Sequence, residues 1–531
     1  MIVSIFNDVI GPVMRGPSSS HCAAALRIGR LARDLMGADI VDVLVEFDRK
    51  GSLPTTHDSQ GSDMGLCGGL LGWDAADERL PGSLDALRAS GVTIRMVTVD
   101  AGDPHPNTYR LTLTDSKQQQ HRLRAISTGG GMMEVIDVDD FSVSIFGDYA
   151  ETLLWATGDG TALREALAFQ IDSDAIVLHQ HAGRTLVEVK AQHAVSEAII
   201  TELRGAGLVG EVRSLAPVLP VMSKRSTSVP FTSCAEMLRY DAGRGTPLWQ
   251  LAVQYESARG SLSERQLLDQ MIGIIRILRR SIAQGIAGTH YDDRVLGHQS
   301  GQFQARMQAG GLLGGGALNR IVLYVTALME VKSSMGVIVA APTAGACAAL
   351  PGAVIAMAEE MGLGEEDMAK AMLASGVIGV FIATSFTFAA EVGGCQVEGG
   401  SAASMAAAAL VTLGGGTLAQ SVAASSMALQ SMIGLICDPV ANRVEVPCLG
   451  KNVMAASNAL SCANMALSNF DPVIPFDEVV DTAKRVAAQM PRELRCTSLG
   501  GLAITPTSLA LEAKLAEKKA AACGTSSCGC G

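Results

Sequence analysis

AMLASGVIGVFIATSFTFAA, residues 371–390, and GGSAASMAAAALVTLGGGTLAQSVAASSMALQSMIGLI, residues 399–436, contain no Asp, Glu, Lys or Arg. Either stretch is long enough to cross a bilayer, which takes about 20 apolar residues in a helix. Their composition argues for a different place. Gly, Ala, Ser and Thr dominate where Leu, Ile and Phe would face lipid, no Trp or Tyr belt frames them, and their flanks show no Lys/Arg asymmetry. Helices that are apolar on every side fit the centre of a large fold. A polytopic membrane protein is the alternative that these stretches leave open.

Outward from this centre, residues 230–510 are helix-patterned with Gly and Pro breaks, which predicts an all-helical domain. The polar run SKRSTS marks a linker at 223–229. Before it, residues 151–222 offer TLLWAT, a helix near Gly160 to Ala168, AIVLHQH, TLVEVKA, the helix-like VSEAIITELRGAG and a last strand EVRSLAPVLPV, in the order of an ACT-like βαββαβ module. Residues 1–150 mix strands such as VDVLVEF and IRMVTVD with the helix AAALRIGRLARDLM, and read as an α+β domain. The expected fold is therefore multidomain: α+β, then the ACT-like module, then all-α. Residues 511–531 run from LEAKLAEKKA into a cysteine-containing tail, AACGTSSCGCG.

With 531 residues the chain exceeds one ordinary core, and its net charge of -12 with no basic patch excludes a nucleic-acid partner. The start, MIVSIFNDVIGPVMRG, has no basic residue ahead of its apolar run and carries Asp8 within it, so no secretion signal is expected and the cytoplasm is the expected location. In a reducing compartment the 12 cysteines are metal ligands, catalytic thiols or core packing rather than disulfides.

Cys395, Cys437 and Cys448 sit in GGCQVEGG, LICDPV and EVPCLG, where a helix has to break and backbone N–H groups become free to surround a metal cluster. Their wide spacing is no generic metal motif, and three buried core thiols explain it as well. At the other end of the chain, Ser18, Ser19 and Ser20 precede His21 at the start of a predicted helix, a place where hydroxyls and free amides suit a carboxylate. The same pattern serves as a plain helix cap.

The surrounding motifs resemble the bacterial iron–sulfur L-serine dehydratases. APTAGAC (341–347), GCQ (394–396), CDPV (437–440), VPC (446–448) and TSLGGLA (497–503) resemble that family's α-chain, and GPSSSHC (16–22), QGSDMGLCGGLLG (60–72) and STGGG (127–131) its β-chain, together covering nearly the whole chain. The resemblance implies a [4Fe-4S] cluster held by Cys395, Cys437 and Cys448 with one iron left open to act as Lewis acid. It implies an oxygen-sensitive lyase that takes a small-molecule β-hydroxy amino acid, L-serine or a close relative, to a 2-oxo acid and ammonia, and a homodimer. His21, Ser19 and Ser20 are then expected to be catalytic, and Ser18, Ser300, Pro342, Thr343, Thr497 and Ser498 to contact substrate. Related enzymes can cap the open iron with a C-terminal cysteine, for which Cys530 is the nearest positional match, with Cys523 and Cys528 as rivals. Cys347, Cys462 and Cys496 read as small buried hydrophobes.

The match has gaps. Cys22 stands where Thr is usual, Gln60 where His is expected, EVGGCQVEGG where EVGCQGEVG is expected, and LGKN (449–452) in place of an IERN-like run. Lys451 or Arg443 could therefore pair with an extra carboxylate, which keeps 3-hydroxyaspartate, or a hydro-lyase acting on a hydroxy acid, in view. No lysine stands in a recognisable Schiff-base context, which argues against PLP chemistry.

Overall fold

The structure is a computed structural model that describes residues 2–225, 227–260 and 262–524. An α+β region with mixed sheets precedes a helical region, as the hydrophobic periods indicate. The first sheet has six strands: β1 (Asp42–Asp48), β2 (Thr93–Val99), β3 (Thr108–Thr114), β4 (Gln120–Gly129), β5 (Met132–Val138) and β6 (Phe141–Ile145), in the order β2-β1-β3-β4-β5-β6. Only β1 and β2 run parallel; every other neighbouring pair is antiparallel. Alternate residues of β4 are buried, so one face of the sheet meets helix α1 (Ala24–Leu35) over a core that includes Ile28, Leu31, Val43, Leu111 and Leu123.

Helix α2 (Ser62–Leu70) lies against α1 more closely than side chains would allow. A Cβ on Gly65 would sit 2.0 Å from the Cys22 carbonyl oxygen, and one on Gly69 would sit 2.1 Å from that of Leu26. Only glycine permits this approach, which accounts for the glycines of QGSDMGLCGG and holds the segment after Gln60 against the Ser–His turn.

Residues 150–215 form β7 (Ala150–Ala156), α3 (Thr161–Gln170), β8 (Ala175–His181), β9 (Arg184–Ala191), α4 (Glu197–Gly205) and β10 (Val209–Leu215). Their antiparallel sheet runs β10-β7-β9-β8 over a separate small core of Leu154, Leu163, Val187 and Leu203. The last strand stops before Pro217, because proline has no N–H to give to a ladder.

The helical region is built from α5 (Leu248–Gly260), α6 (Glu264–Ala287), α7 (Ser300–Gln308), α8 (Gly316–Ser333), α9 (Ala349–Glu360), α10 (Glu365–Ser385), α11 (Ser401–Leu413), α12 (Leu418–Gln430), α13 (Cys448–Leu467), α14 (Phe476–Gln489) and α15 (Pro506–Gly524). Every residue of α11 except Thr412 is buried. The uncharged run at 399–436 is thus α11 and α12, tied together where Ser404 Oγ donates to Ser425 O at 2.9 Å and Ser425 Oγ to Ser404 O at 3.1 Å. Helix α10 has the length and hydropathy to cross a membrane, but 78% of its most apolar window is packed inside the fold.

The first residues of the chain lie apart from the sheet that follows them. Ile5, Phe6, Val9 and Ile10 join the core of the helical region, and Val13–Met14 pair antiparallel with Ile338–Val339. Glycine spacing on α10 makes room for them: a Cβ on Gly376 would meet Ile5 at 2.5 Å, and one on Gly379 would meet Val9 at 2.2 Å. This clamps the two regions together.

Candidate active site

Three breaks in the helical core bring the thiols together. Cys395 follows Gly394, whose φ of 69° ends the short helical turn Ala390–Gly393 before the chain turns into α11. Cys437 follows α12 in an extended segment whose backbone accompanies Arg495: Cys437 N donates to Leu494 O at 2.9 Å. Cys448 is the first residue of α13. Cys395 Sγ, Cys437 Sγ and a carboxylate oxygen of Glu398 all lie within 4.8 Å of one another, and Cys437 and Cys448 line one tight cavity with Ser18, Ser20, Gln60, Gly345, Glu391, Glu398 and Cys496. The crowding has an electrostatic signature. The neighbouring Cys395 and Cys496 thiols, with burial, push the Cys437 thiol well above its ordinary pKa, and burial does the same for Cys448. Adjacent buried thiols resist ionising unless a cation shares them, so this donor set fits a thiolate-bound metal centre.

The α+β region supplies the opposite wall. Ser18 to Ala23 form a wide turn entering α1, with Cys22 N donating to Ser18 O at 2.7 Å. His21 is fully buried and does not line the cavity. Its Nδ1 lies 3.0 Å from Ser18 Oγ and 3.3 Å from Glu391 Oε1, and its Nε2 lies 2.8 Å from Thr56 Oγ1. Burial holds its pKa below the usual imidazole value, with Glu391 partly opposing. Ser20 Oγ donates to Glu391 Oε1 at 2.8 Å. Ser19 Oγ is committed to the facing loop, where it accepts from Ala344 N at 3.1 Å.

That loop is APTAGAC. Thr343 Oγ1 donates to Glu398 Oε1 at 2.6 Å, and a Cβ on Gly345 would stand 2.7 Å from the same oxygen, so the loop both holds the carboxylate and leaves it space. Pro342 lies beside it, its carbonyl against Gly130 of the STGGG turn. Asn452, one helical turn beyond Cys448, pins the loop to α13: its side-chain amide donates to Gly345 O at 2.8 Å and accepts from Ala348 N and Ala349 N at 3.2 and 3.1 Å. Burial raises the Glu398 carboxyl to about 7 against the Thr343 hydrogen bond. Glu391 is buried as well, and its Oε2 has no hydrogen-bond partner among the described residues.

Thr497 and Ser498 come to the rim. Thr497 O accepts from Thr55 Oγ1 at 3.3 Å, and Ser498 Oγ donates to Asn442 Oδ1 at 2.7 Å, which also takes a hydrogen bond from Gln60. Ser300 is not brought in. It opens α7, where its hydroxyl donates to Glu330 Oε2 at 2.6 Å and lies 2.8 Å from Gly285 O, because the Glu330 carboxylate collects the free amides at that helix start. Cys530 lies outside the described residues. Cys347 and Cys462 are buried packing thiols as expected, but Cys496 faces the cavity beside Cys437. Lys451 and Arg443, considered for a second substrate carboxylate, are already paired: Lys451 Nζ lies 2.7 Å from Asp438 Oδ1 and Arg443 Nη2 2.6 Å from Asp293 Oδ1. The two carboxylates Glu391 and Glu398 were not singled out from sequence. The only signal for them was their place on either side of Cys395.

Residues 243–503 match the serine dehydratase alpha chain family model. The probable L-serine dehydratase alpha chain of Bacillus subtilis (strain 168) is 38% identical over 48% of this chain and 84% of its own length. The chain belongs to the serine dehydratase family. A probable L-serine dehydratase beta chain of the same organism is 40% identical over 28% of this chain and 67% of its own length, and an L-serine dehydratase of Streptomyces coelicolor is 26% identical over 95% of this chain and 99% of its own. Both halves of the family are therefore present in one polypeptide, in beta-then-alpha order. Its members are carbon–nitrogen lyases acting on a small molecule.

Proposed function

We propose that this chain is a [4Fe-4S]-dependent, oxygen-sensitive cytoplasmic enzyme that dehydrates and deaminates L-serine, or a closely related β-hydroxy amino acid, to a 2-oxo acid and ammonia. The observation that carries the reading is that three helix breaks bring Cys437 and Cys448 onto one cavity, with Cys395 within 4.8 Å of Cys437 and Glu398, and that Glu391, Glu398, Ser18 and Ser20 line the same cavity. Cys395, Cys437 and Cys448 would hold the cluster. When bound, such a cluster supplies Lewis acidity toward a hydroxyl leaving group, which is otherwise a poor one.

The protein's own groups account for the rest. Glu391, with one oxygen held by Ser20 and the other unpartnered, is placed to take the substrate α-proton on Oε2. Glu398, raised to about 7 by desolvation, is protonated in about half of the molecules at neutral pH and in that form can give its proton to the departing oxygen. His21 acts as a positioning residue: neutral, buried and engaged at both ring nitrogens, it fixes Ser18 and the first oxygen of Glu391. Ser18 and Ser20 at the cavity, with Pro342, Thr343, Thr497 and Ser498 around it, form the polar cradle for an amino acid's carboxylate and ammonium. A larger cavity of about 350 Å³, lined by Gly61, Met64, Lys332 and Val444, adjoins the tight one at Val444 and provides the way in. A capping role for Cys530 and a homodimeric assembly belong to the same reading. With Lys451 and Arg443 both committed to protein carboxylates, the site favours serine over a dicarboxylic substrate.

The test is anaerobic purification with iron and sulfide reconstitution, followed by coupled ammonia and 2-oxo-acid assays with L-serine, L-threonine and 3-hydroxyaspartate. Turnover of L-serine that disappears in air and in Cys395→Ala is expected. A chain that binds no iron under these conditions would refute the reading, and a bound cluster without ammonia release would move the activity to hydroxy-acid dehydration.

A further inference from the structure

We propose that Gln60 accepts a hydrogen bond from the substrate's α-ammonium on its side-chain Oε1, with Asn442 as the positioning residue that turns this oxygen to the cavity, and that the pair selects an amino acid over a hydroxy acid of the same shape. The inference rests on the reading of the site above and deepens it by naming the group that recognises the amine.

The orientation of the amide follows from a chain of hydrogen bonds with one solution. The Thr55 carbonyl oxygen can only accept, so the Asn442 atom that meets it is the amide nitrogen Nδ2, and Asn442 Oδ1 points the other way. There Oδ1 accepts from Ser498 Oγ at 2.7 Å and from Gln60 at 3.3 Å. The Gln60 atom facing it is therefore the donor, Nε2, which leaves Oε1 to the cavity that Gln60 lines. Gln60 is 1% exposed, and among the described residues the hydrogen-bonding contact of Oε1 is the Cys496 thiol at 3.7 Å, a weak donor at long range. A buried amide oxygen held so loosely lacks a strong partner. The backbone behind it is set firmly: Ala441, Asn442 and Ser498 have φ of 50°, 55° and 58°, left-handed conformations that persist where the surroundings fix them.

The cavity favours a cation beside this oxygen. Its walls carry the Glu391 and Glu398 carboxyls and, among the described residues, no Lys, Arg or His, and Glu391 Oε2 has no hydrogen-bond partner. A neutral amide adds an acceptor without a third negative charge, which would push its neighbours toward protonation. Where the family resemblance leads to the expectation of His, this chain has a side chain with no titratable proton, so Gln60 holds the substrate and takes no part in proton transfer. An ammonium offers Oε1 a charged N–H, whereas a hydroxy acid offers a neutral O–H, and the charged donor makes a bond about twice as strong.

The full-length chain, Gln60→Leu and Asn442→Gly are reconstituted anaerobically and compared at equal iron and sulfide loading. Glycine suits the left-handed backbone at 442 and removes only the side chain. Kinetics with L-serine are set beside binding of 3-hydroxypropanoate, which is L-serine without its amino group, read as a competitive inhibition constant and by calorimetry. Gln60→Leu is expected to lower kcat/KM for L-serine about tenfold or more, mainly through KM, as loss of a hydrogen bond to a charged group implies, and to leave 3-hydroxypropanoate binding within about twofold. Asn442→Gly should act with the same selectivity by a smaller factor, and should add nothing in the Gln60→Leu background, because it works through Gln60. Equal weakening of both ligands, or an unchanged KM for L-serine, overturns the proposal while turnover by the parent leaves the proposed function standing. Additive effects of the two variants overturn the positioning role of Asn442. A parent chain without iron or without ammonia release overturns the proposed function and this proposal with it. Should Gln60→Leu not fold, Asn442→Gly decides by the same comparison of the two ligands.

Discussion

Replacing Asn452 by Ala should loosen the cluster side of the site more than any single change outside the cysteines and carboxylates. The side chain is 2% exposed and makes four hydrogen bonds: to Gly345 O, to Cys448 O, and from the amides of Ala348 and Ala349. Cys448 O keeps its place as an acceptor within α13, so its loss is small. The other three groups are buried and would be left without their partner, at about 1 kcal/mol net for each. The total is about 3 kcal/mol, and because every 1.4 kcal/mol is a factor of ten, the loop should open roughly 100-fold more often. Hydrogen exchange of the segment 344–350 measures this directly, and an acceleration on the order of 100-fold is expected in the metal-free chain, together with weaker retention of iron through Cys448. Asn452→Asp keeps the two accepted amides and should fall between. Exchange in Asn452→Ala within a factor of about three of the parent, less than one ordinary hydrogen bond, would refute the idea that this residue ties the APTAGAC loop to the cysteine helix.

Other consequences are as specific. Glu256 is buried with its carboxylate accepting from Ser4 Oγ and Ile5 N, and burial raises it from 4.5 to about 7. Because the folded value lies above the unfolded one, its contribution to stability is complete below about 4.5 and is lost as pH rises through 7, so Glu256→Gln should flatten the fall in melting temperature over that window, by an amount of order 3 kcal/mol in stability. In the small module, Lys190 Nζ lies 3.0 Å from Glu151 and 2.9 Å from Glu188, and Lys190→Met would leave two buried carboxylates facing each other; a loss of about 3–5 kcal/mol is expected, read as early proteolysis within 150–215. Thr343→Val removes the hydrogen bond that holds Glu398 and should lower kcat by roughly fivefold with KM little changed, since a neutral hydrogen bond contributes about 1 kcal/mol. Gly65→Ala would place a methyl 2.0 Å from the Cys22 carbonyl oxygen, and should lower stability by about 1–3 kcal/mol in a thermal melt.

The legible parts of the sequence were those where a local pattern has one physical solution. Uncharged small-residue runs had to become α10, α11 and α12, and the strand–helix alternation of 150–215 closed into the expected βαββαβ sheet. The three cysteines converge because each sits where a helix is interrupted, and interruptions in a bundle tend to meet at one level. What sequence left hidden depends on contacts across long separations. Cys496 reads as a packing thiol until Arg495 is laid beside Cys437, Ser300 resembles a pocket residue until Glu330 is found collecting its helix start, and Glu391 and Glu398 look like ordinary loop charges until the fold turns both onto one cavity. Residues 5–14, placed with the α+β region by chain position, turn out to be core of the helical region because Gly376 and Gly379 leave room for their side chains.

The distribution of site residues also explains why one polypeptide suits this chemistry. Neither region holds all the residues of the proposed site: Ser18, Ser20, His21 and Gln60 come from the α+β side, while Thr343, Glu391, Glu398 and the cysteines come from the helical side. Hydrogen bonds between them near the cavity include Ser20 to Glu391, Ser19 to Ala344, Gln60 to Asn442 and Thr55 to Thr497. In two separate chains such contacts would have to form between molecules. In the Bacillus subtilis relatives the corresponding alpha and beta chains are named separately. Joined in one chain, and fastened further by residues 5–14 in the helical core, the same contacts form intramolecularly, where a linker raises the effective concentration of one wall for the other to the order of millimolar or above. The position of the Glu391 carboxylate then depends on folding of the chain and not on its concentration, so specific activity should be independent of dilution wherever the fold itself is intact.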